Sequence, residues 1–187
     1  MFISTLQIRN FRNYESEIFR FDNETNTIIG ENDSGKTNAL TALRILLDDS
    51  YYYSSKTLKE SDFFHGIQNG WQGHWIIISA TFEGISEEEF DNEICQTILE
   101  ELISNADKGV GSISLFIRPN KAIRKQLFDI STELDSHQFN EFRNSIRLSD
   151  YEFYYTSKSN LNFCINENYD KLVGRLNDNI ASNPEED

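Results

Sequence analysis

The chain has 187 residues, 38% of them hydrophobic and 13% aromatic, which is enough apolar material for a real core and excludes a disordered acidic tail. Its 17 basic and 31 acidic residues give a formal net charge of −14, so the surface as a whole repels a phosphate backbone. That balance excludes a general nucleic-acid binder, and any DNA contact must come from a local basic patch or from segments outside these residues.

Taken in order, residues 2–9 alternate, with Phe2, Leu6 and Ile8 available for one face, and read as a strand. Asn10 to Tyr14 has turn character, and Glu15 to Phe21 alternates again, so the chain opens on an antiparallel hairpin. A short strand, Asn26 to Ile29, then runs into Gly30. From Gly35 the period changes: Ala39, Ala42, Leu43 and Leu46 share a helical face, which predicts a helix to about Asp48. Ser50 to Gly73 reads as polar, aromatic loop, and Trp75 to Phe82 as a strand stopped by Gly84. Ser86 followed by Glu87, Glu88 and Glu89 suits a helix start, with serine capping free N–H groups and carboxylates facing the positive end of the dipole. That helix is expected to reach about Asn105. Ser112 to Arg118 reads as a strand closed by Pro119, and 121–135 fits either helix or strand. His137 to Arg147 reads as helix, Tyr151 to Ser157 as strand, Tyr169 to Ala181 as helix, and the end as a solvated tail or cut point. The fold class expected is α/β.

Cys95 and Cys164 have no paired spacing and read as reduced thiols. Arg9 and Arg12 interrupt any N-terminal signal, and the apolar run near Trp75 is too short to span a bilayer, so a soluble, cytoplasmic protein is expected. His65, His74 and His137 lack metal-ligand spacing and read as surface or loop residues. Arg118, Lys121, Arg124 and Lys125 form a basic cluster that reads as a solvated face or, alternatively, as a contact for nucleic acid or a partner.

The strongest signal is Gly30-Glu31-Asn32-Asp33-Ser34-Gly35-Lys36-Thr37, which fits G-x-x-x-x-G-K-[ST]. A triphosphate is densely charged, and a loop without bulky side chains lets successive backbone N–H groups surround it. Gly30 and Gly35 permit the close approach, Lys36 would reach the β- and γ-phosphates, and the Thr37 hydroxyl would ligate Mg²⁺. The N-terminus of the following helix adds partial positive charge. At ordinary residue usage a chance match in a chain this long arises roughly once in a hundred or less. Its position, after a strand and at the head of an amphipathic helix, is the setting the mechanism requires. ATP with Mg²⁺ is the expected ligand.

A hairpin ahead of the phosphate loop, with a further strand after it, resembles the ABC-type ATPase heads of the RecF, SMC and OLD families. The resemblance rests on Ile3 to Tyr14 and on Gly30 to Arg44, and covers residues 1–85. Glu31-Asn32-Asp33, followed by Leu43-Arg44-Ile45-Leu46-Leu47-Asp48, looks most like the OLD family, which includes Gabija-type and retron-linked phage-defence effectors. Ser61-Asp62-Phe63-Phe64 also resembles a short Asp-Phe segment of those proteins. The resemblance implies a P-loop NTPase fold of ABC-head type, with residues 1–85 as the core lobe and 86–187 as its elaboration. It implies that Arg12 and Asn13 lie near the nucleotide and that Asn32 approaches the γ-phosphate side. It further implies self-association through ATPase heads, DNA engaged by other domains, and a defence-system partner.

Other features of that family are missing. The sequence has no apolar strand ending in Asp-Glu, the nearest segments being Phe82-Glu83 and Leu148-Ser149-Asp150, and no Ser-Gly-Gly signature or acidic Toprim cluster. These residues therefore read as an N-terminal piece that holds nucleotide weakly and hydrolyses little. Three readings follow: the ATPase lobe of an OLD-like, ATP-regulated endonuclease; a RecF- or SMC-like repair ATPase; or a degenerate nucleotide-sensing interaction module.

Overall fold

A computed structural model describes residues 1–31, 35–48, 51, 58–86, 109–132, 136–157 and 161–174. Residues 87–105 of the helix expected to start at Ser86, Cys95, the loop residues Asn32, Asp33 and Ser34, Tyr52 and Tyr53 of the aromatic loop, and the C-terminal tail lie outside the described residues.

Among the described residues, five strands form one antiparallel sheet. They are β1 (Phe2–Phe11), β2 (Tyr14–Arg20), β3 (Ile76–Glu83), β4 (Gly111–Pro119) and β5 (Tyr151–Thr156), in the order β2-β1-β3-β4-β5. β1 and β2 make the expected hairpin, with Phe11 opposite Tyr14 across the Arg12-Asn13 turn. The sheet joins strands from both sides of residue 85. A register shift between Ile3 and Thr5 changes which residues face inward. Ile3 packs on the core, while Phe2 lies against Gly84, so the alternation read from Phe2 through Leu6 is corrected at its first residue.

The helices among the described residues are α1 (Lys36–Leu47), α2 (Lys121–Thr132), α3 (Ser136–Ser145) and α4 (Asn166–Val173). One face of the sheet carries Leu6, Ile8, Ile76, Ile78, Leu115 and Ile117 against Ala39, Ala42 and Leu46 of α1, Leu127 of α2 and Phe139 of α3. The opposite face carries Trp75, Ile77 and Phe116 against Phe163 and against Tyr169 and Val173 of α4. Burial on both faces explains why residues 75–78 form an unbroken apolar run rather than an alternating one. Each fully buried isoleucine there contributes about 1.5–3 kcal/mol. In the segment left open between helix and strand, Ile123, Leu127 and Ile130 recur at helical spacing, and all belong to the core cluster as α2.

Two further expectations are corrected. Asn26 to Ile29 forms no strand: it pairs with no neighbour among the described residues, and Ile29 is 87% exposed. An isolated extended segment has nothing to satisfy its backbone groups except water, so apolar content alone does not make it a strand. The basic cluster is not simply a solvated face. The β4–β5 register sets Arg118 opposite Glu152, and both Arg118 Nε (3.0 Å) and Arg124 Nη2 (3.6 Å) converge on that carboxylate. Arg118 also stacks over Tyr154 and Trp75. Among the described residues, no helix is long and apolar enough to cross a membrane.

Candidate nucleotide-binding site

The head of α1 is built without a side-chain cap. Gly35 takes the N-cap position at φ 96°, ψ 0°, and its carbonyl accepts from Asn38 N (2.7 Å) and Ala39 N (3.1 Å). This left-handed conformation is the one glycine adopts without penalty. Space is as restrictive as the backbone: a Cβ at Gly35 would sit 2.2 Å from Asn13 Nδ2 and 2.8 Å from the Tyr14 hydroxyl. The β1–β2 turn is thus pressed against the start of the helix, and the Tyr14 hydroxyl donates to Gly35 O at 2.9 Å. Burial raises the Tyr14 pKa and keeps that hydroxyl a donor.

A polar chain runs from the turn to the helix. Arg12 Nη1 donates to Asn38 Oδ1 (3.1 Å), and Asn38 Nδ2 donates to Asn13 Oδ1 (2.7 Å). Arg12 Nε pairs with Asp62 Oδ1 at 3.2 Å, and Arg12 N donates to Asp62 O at 2.9 Å. Asp62 is held in turn by Lys59 N, which donates to Oδ2 at 3.1 Å. Arg12 itself has φ 53°, a conformation costing a non-glycine residue about 1–2 kcal/mol. The Asp62 contacts and the Phe11–Phe63 bridge help hold it there.

Lys36 Nζ donates to the carbonyls of Gly30 and Glu31, both at 2.5 Å, so its ammonium is turned into the mouth of the loop. Thr37 is exposed, and its carbonyl accepts from Thr41 Oγ1 at 2.7 Å. Of the residues singled out in the sequence, Gly30, Glu31, Gly35, Lys36 and Thr37 stand at this one helix end, with Arg12 and Asn13 beside it. Asn32, Asp33 and Ser34 lie outside the described residues. The sequence reading gave no role to Tyr14, Asn38 or Asp62. Asn38 follows the motif directly, and Asp62 lies in the Asp-Phe segment that carried the resemblance, so both had a signal. Among the described residues, no group of three or more His, Cys, Asp or Glu side chains could hold a metal.

A sheet covered by helices, with Gly-Lys-Thr opening the first helix behind a β-hairpin, defines a P-loop ATPase fold. The chain belongs to the AAA ATPase domain family, whose profile matches residues 1–186. It is similar to the DNA replication and repair protein RecF of Geobacillus sp. and of Bacillus cytotoxicus, each 50% identical over 46 residues. That stretch is 25% of this chain and only 12% of either relative. A solved chain from work on ATP-driven dimerization and DNA-stimulated activation of SMC ATPases is 19% identical, covering 63% of this chain and 64% of its own, with a TM-score of 0.43.

Family membership implies nucleotide binding, with Mg²⁺ its usual companion. The residues fit that ligand. Gly35 has neither the backbone angle nor the room for a side chain, Lys36 Nζ is aimed into the loop, and Thr37 is open to a metal.

Proposed function

We propose that this chain is the ATP-binding lobe of an OLD-like, ATP-regulated DNA endonuclease that acts in defence against phage. The observation that supports it best is the chain Arg12–Asn38–Asn13 joining the β1–β2 turn to the head of α1, anchored by Asp62 in the segment resembling that family. On this reading residues 1–85 are the core lobe and 86–187 its elaboration. Gly30 to Thr37, including Asn32, Asp33 and Ser34, wrap the triphosphate. Lys36 Nζ leaves the carbonyls of Gly30 and Glu31 for phosphate oxygens, and the Thr37 hydroxyl ligates Mg²⁺. Arg12 and Asn13 line the side of the site formed by the hairpin. Bound ATP·Mg²⁺ favours one arrangement of the heads over another. A ligand shifts such an equilibrium only through its difference in affinity for the two states.

The surrounding system follows from the same proposal: a cytoplasmic protein, self-associating through its heads, with DNA engaged by other domains and a defence partner alongside. The 50% identity to RecF over 46 residues favours a second reading, a RecF- or SMC-like repair ATPase. A nucleotide-sensing module without turnover is the third. The natural gene product, incubated with supercoiled DNA, ATP and Mg²⁺, separates them. ATP-controlled cleavage supports the endonuclease, DNA-stimulated turnover without cleavage supports the repair ATPase, and binding without turnover or cleavage supports the sensor.

A further inference from the structure

On the far side of the β1–β2 turn from α1 lies a second polar concavity that the nucleotide site does not use. It has a volume of about 390 Å³, many times a water molecule's share of about 30 Å³, and its walls include Arg9, Asn10, Gln68, His74 and Tyr169. Arg9 is 6% exposed, yet among the described residues its guanidinium makes no hydrogen bond or ion pair, and its Nε is a buried donor with no acceptor. Its one close partner is the face of Tyr169, 4.5 Å from the ring centroid.

A guanidinium keeps its proton in a protein, so Arg9 cannot escape burial by neutralising. Nor do the titratable groups that feel its charge offer a negative partner. Burial, with Arg143 and then Arg9, lowers His74 to about 4, so the ring is neutral near pH 7. Burial also raises Tyr169 and Cys164, keeping the hydroxyl and the thiol protonated. The polar network points the same way. The Tyr169 hydroxyl accepts from Asn10 Nδ2 (2.7 Å) and Trp75 N (3.0 Å), lies 3.0 Å from His74 Nδ1 and donates to Trp75 O at 3.4 Å. Arg143, the other buried cation acting on His74, donates through Nη2 to Asn69 O at 2.8 Å although its own Nε has no acceptor, whereas the Arg9 guanidinium has no hydrogen-bond acceptor among the described residues. Glu15 shares the rim but is exposed and forms no ion pair with Arg9.

We propose that this cavity is a binding site for a small oxyanion of the phosphate or carboxylate class, with Arg9 as its charged anchor. The ion accepts from the open donors of Arg9, and the exposed Gln68 amide closes the outer side. A planar fork opposite an oxyanion is the geometry that makes such hydrogen bonds strong. The site is separate from the phosphate loop: Lys36 belongs to one and Arg9 to the other.

The test uses the chain carrying Lys36→Ala, which removes the phosphate loop as a competing anion site. Inorganic phosphate and, separately, acetate are titrated in at constant ionic strength, with potassium chloride as control. Nitrogen–proton NMR follows the Arg9 Nε–H and the amides of Asn10, Gln68 and His74. Saturable shifts are expected at these positions with phosphate, acetate or both, the preferred ion assigning the class. Arg9→Gln should weaken that ion at least about tenfold, the ratio of one charge-assisted hydrogen bond. Glu15→Gln should strengthen it about threefold by removing a nearby negative charge. Shifts that chloride reproduces, or that persist unchanged in a folded Arg9→Gln chain, overturn the proposal. If Arg9→Gln does not fold, unchanged affinity in both Glu15→Gln and Gln68→Ala overturns it instead.

Discussion

Replacing Gly35 by alanine tests how tightly the hairpin is pressed against the head of α1. At φ 96° a non-glycine residue costs about 1–2 kcal/mol in backbone strain. The new methyl would also occupy the position of Asn13 Nδ2, at 2.2 Å, and crowd the Tyr14 hydroxyl at 2.8 Å. Asn13 can swing aside, but only by giving up its 2.7 Å bond from Asn38, worth about 1 kcal/mol. Tyr14 is 8% exposed and cannot move without disturbing Phe19, its edge-on neighbour at 5.7 Å, a repacking that costs about 1–3 kcal/mol. The expected loss is about 3–6 kcal/mol, read by urea denaturation followed by circular dichroism, with a fall in Tm of roughly 10 °C. A double-mutant cycle isolates the clash. In Gly35→Ala combined with Asn13→Ala the obstructing amide is gone, so the double variant should lose about 1 kcal/mol less than the two single losses together. A Gly35→Ala chain within 1 kcal/mol of the parent would refute the close approach.

Other consequences follow from the buried polar groups. Tyr169→Phe should cost about 3 kcal/mol by denaturation, because Trp75 N–H loses its acceptor while Asn10 and His74 each lose a partner. His74, lowered to about 4 from 6.5, is neutral in the fold but binds a proton once unfolded, so its contribution is complete above pH 6.5 and is lost as pH falls toward 4. At 1.36 kcal/mol per unit this amounts to about 3 kcal/mol, and His74→Asn should flatten the stability profile by that much between pH 7 and 4. An unaltered profile would show that His74 is not held neutral. Glu152→Ala should destabilise by about 2–3 kcal/mol, since it strips the shared carboxylate from Arg118 and Arg124 while itself being 36% exposed. A loss under 0.5 kcal/mol would place the pair among ordinary surface bridges.

What the sequence disclosed was local, and what it hid was long-range. The hairpin, α1 and β3 declared themselves through period and composition, and Gly35, Lys36 and Thr37 through a motif whose spacing is its mechanism. The stretch Asn26 to Ile29 misled because a strand is a property of a pair, and its apolar residues carry no information about a neighbour. Arg118 looked solvated beside Lys121 and Arg124 because its partner, Glu152, is 34 residues away and meets it only through the β4–β5 register. His74 carried no sign that Tyr169, 95 residues on, would enclose it. Arg12 and Asn13 came from family resemblance; their link through Asn38 and Asp62 needed the fold.

The claim that Gly30 to Thr37 form an ATP site is tested most directly by calorimetric titration of ATP-γ-S with Mg²⁺ into this chain and into Lys36→Ala. Saturable binding by the parent chain and none by Lys36→Ala is expected, with both showing the same far-ultraviolet circular dichroism. Equal binding by the two folded chains would contradict the assignment of the phosphate loop.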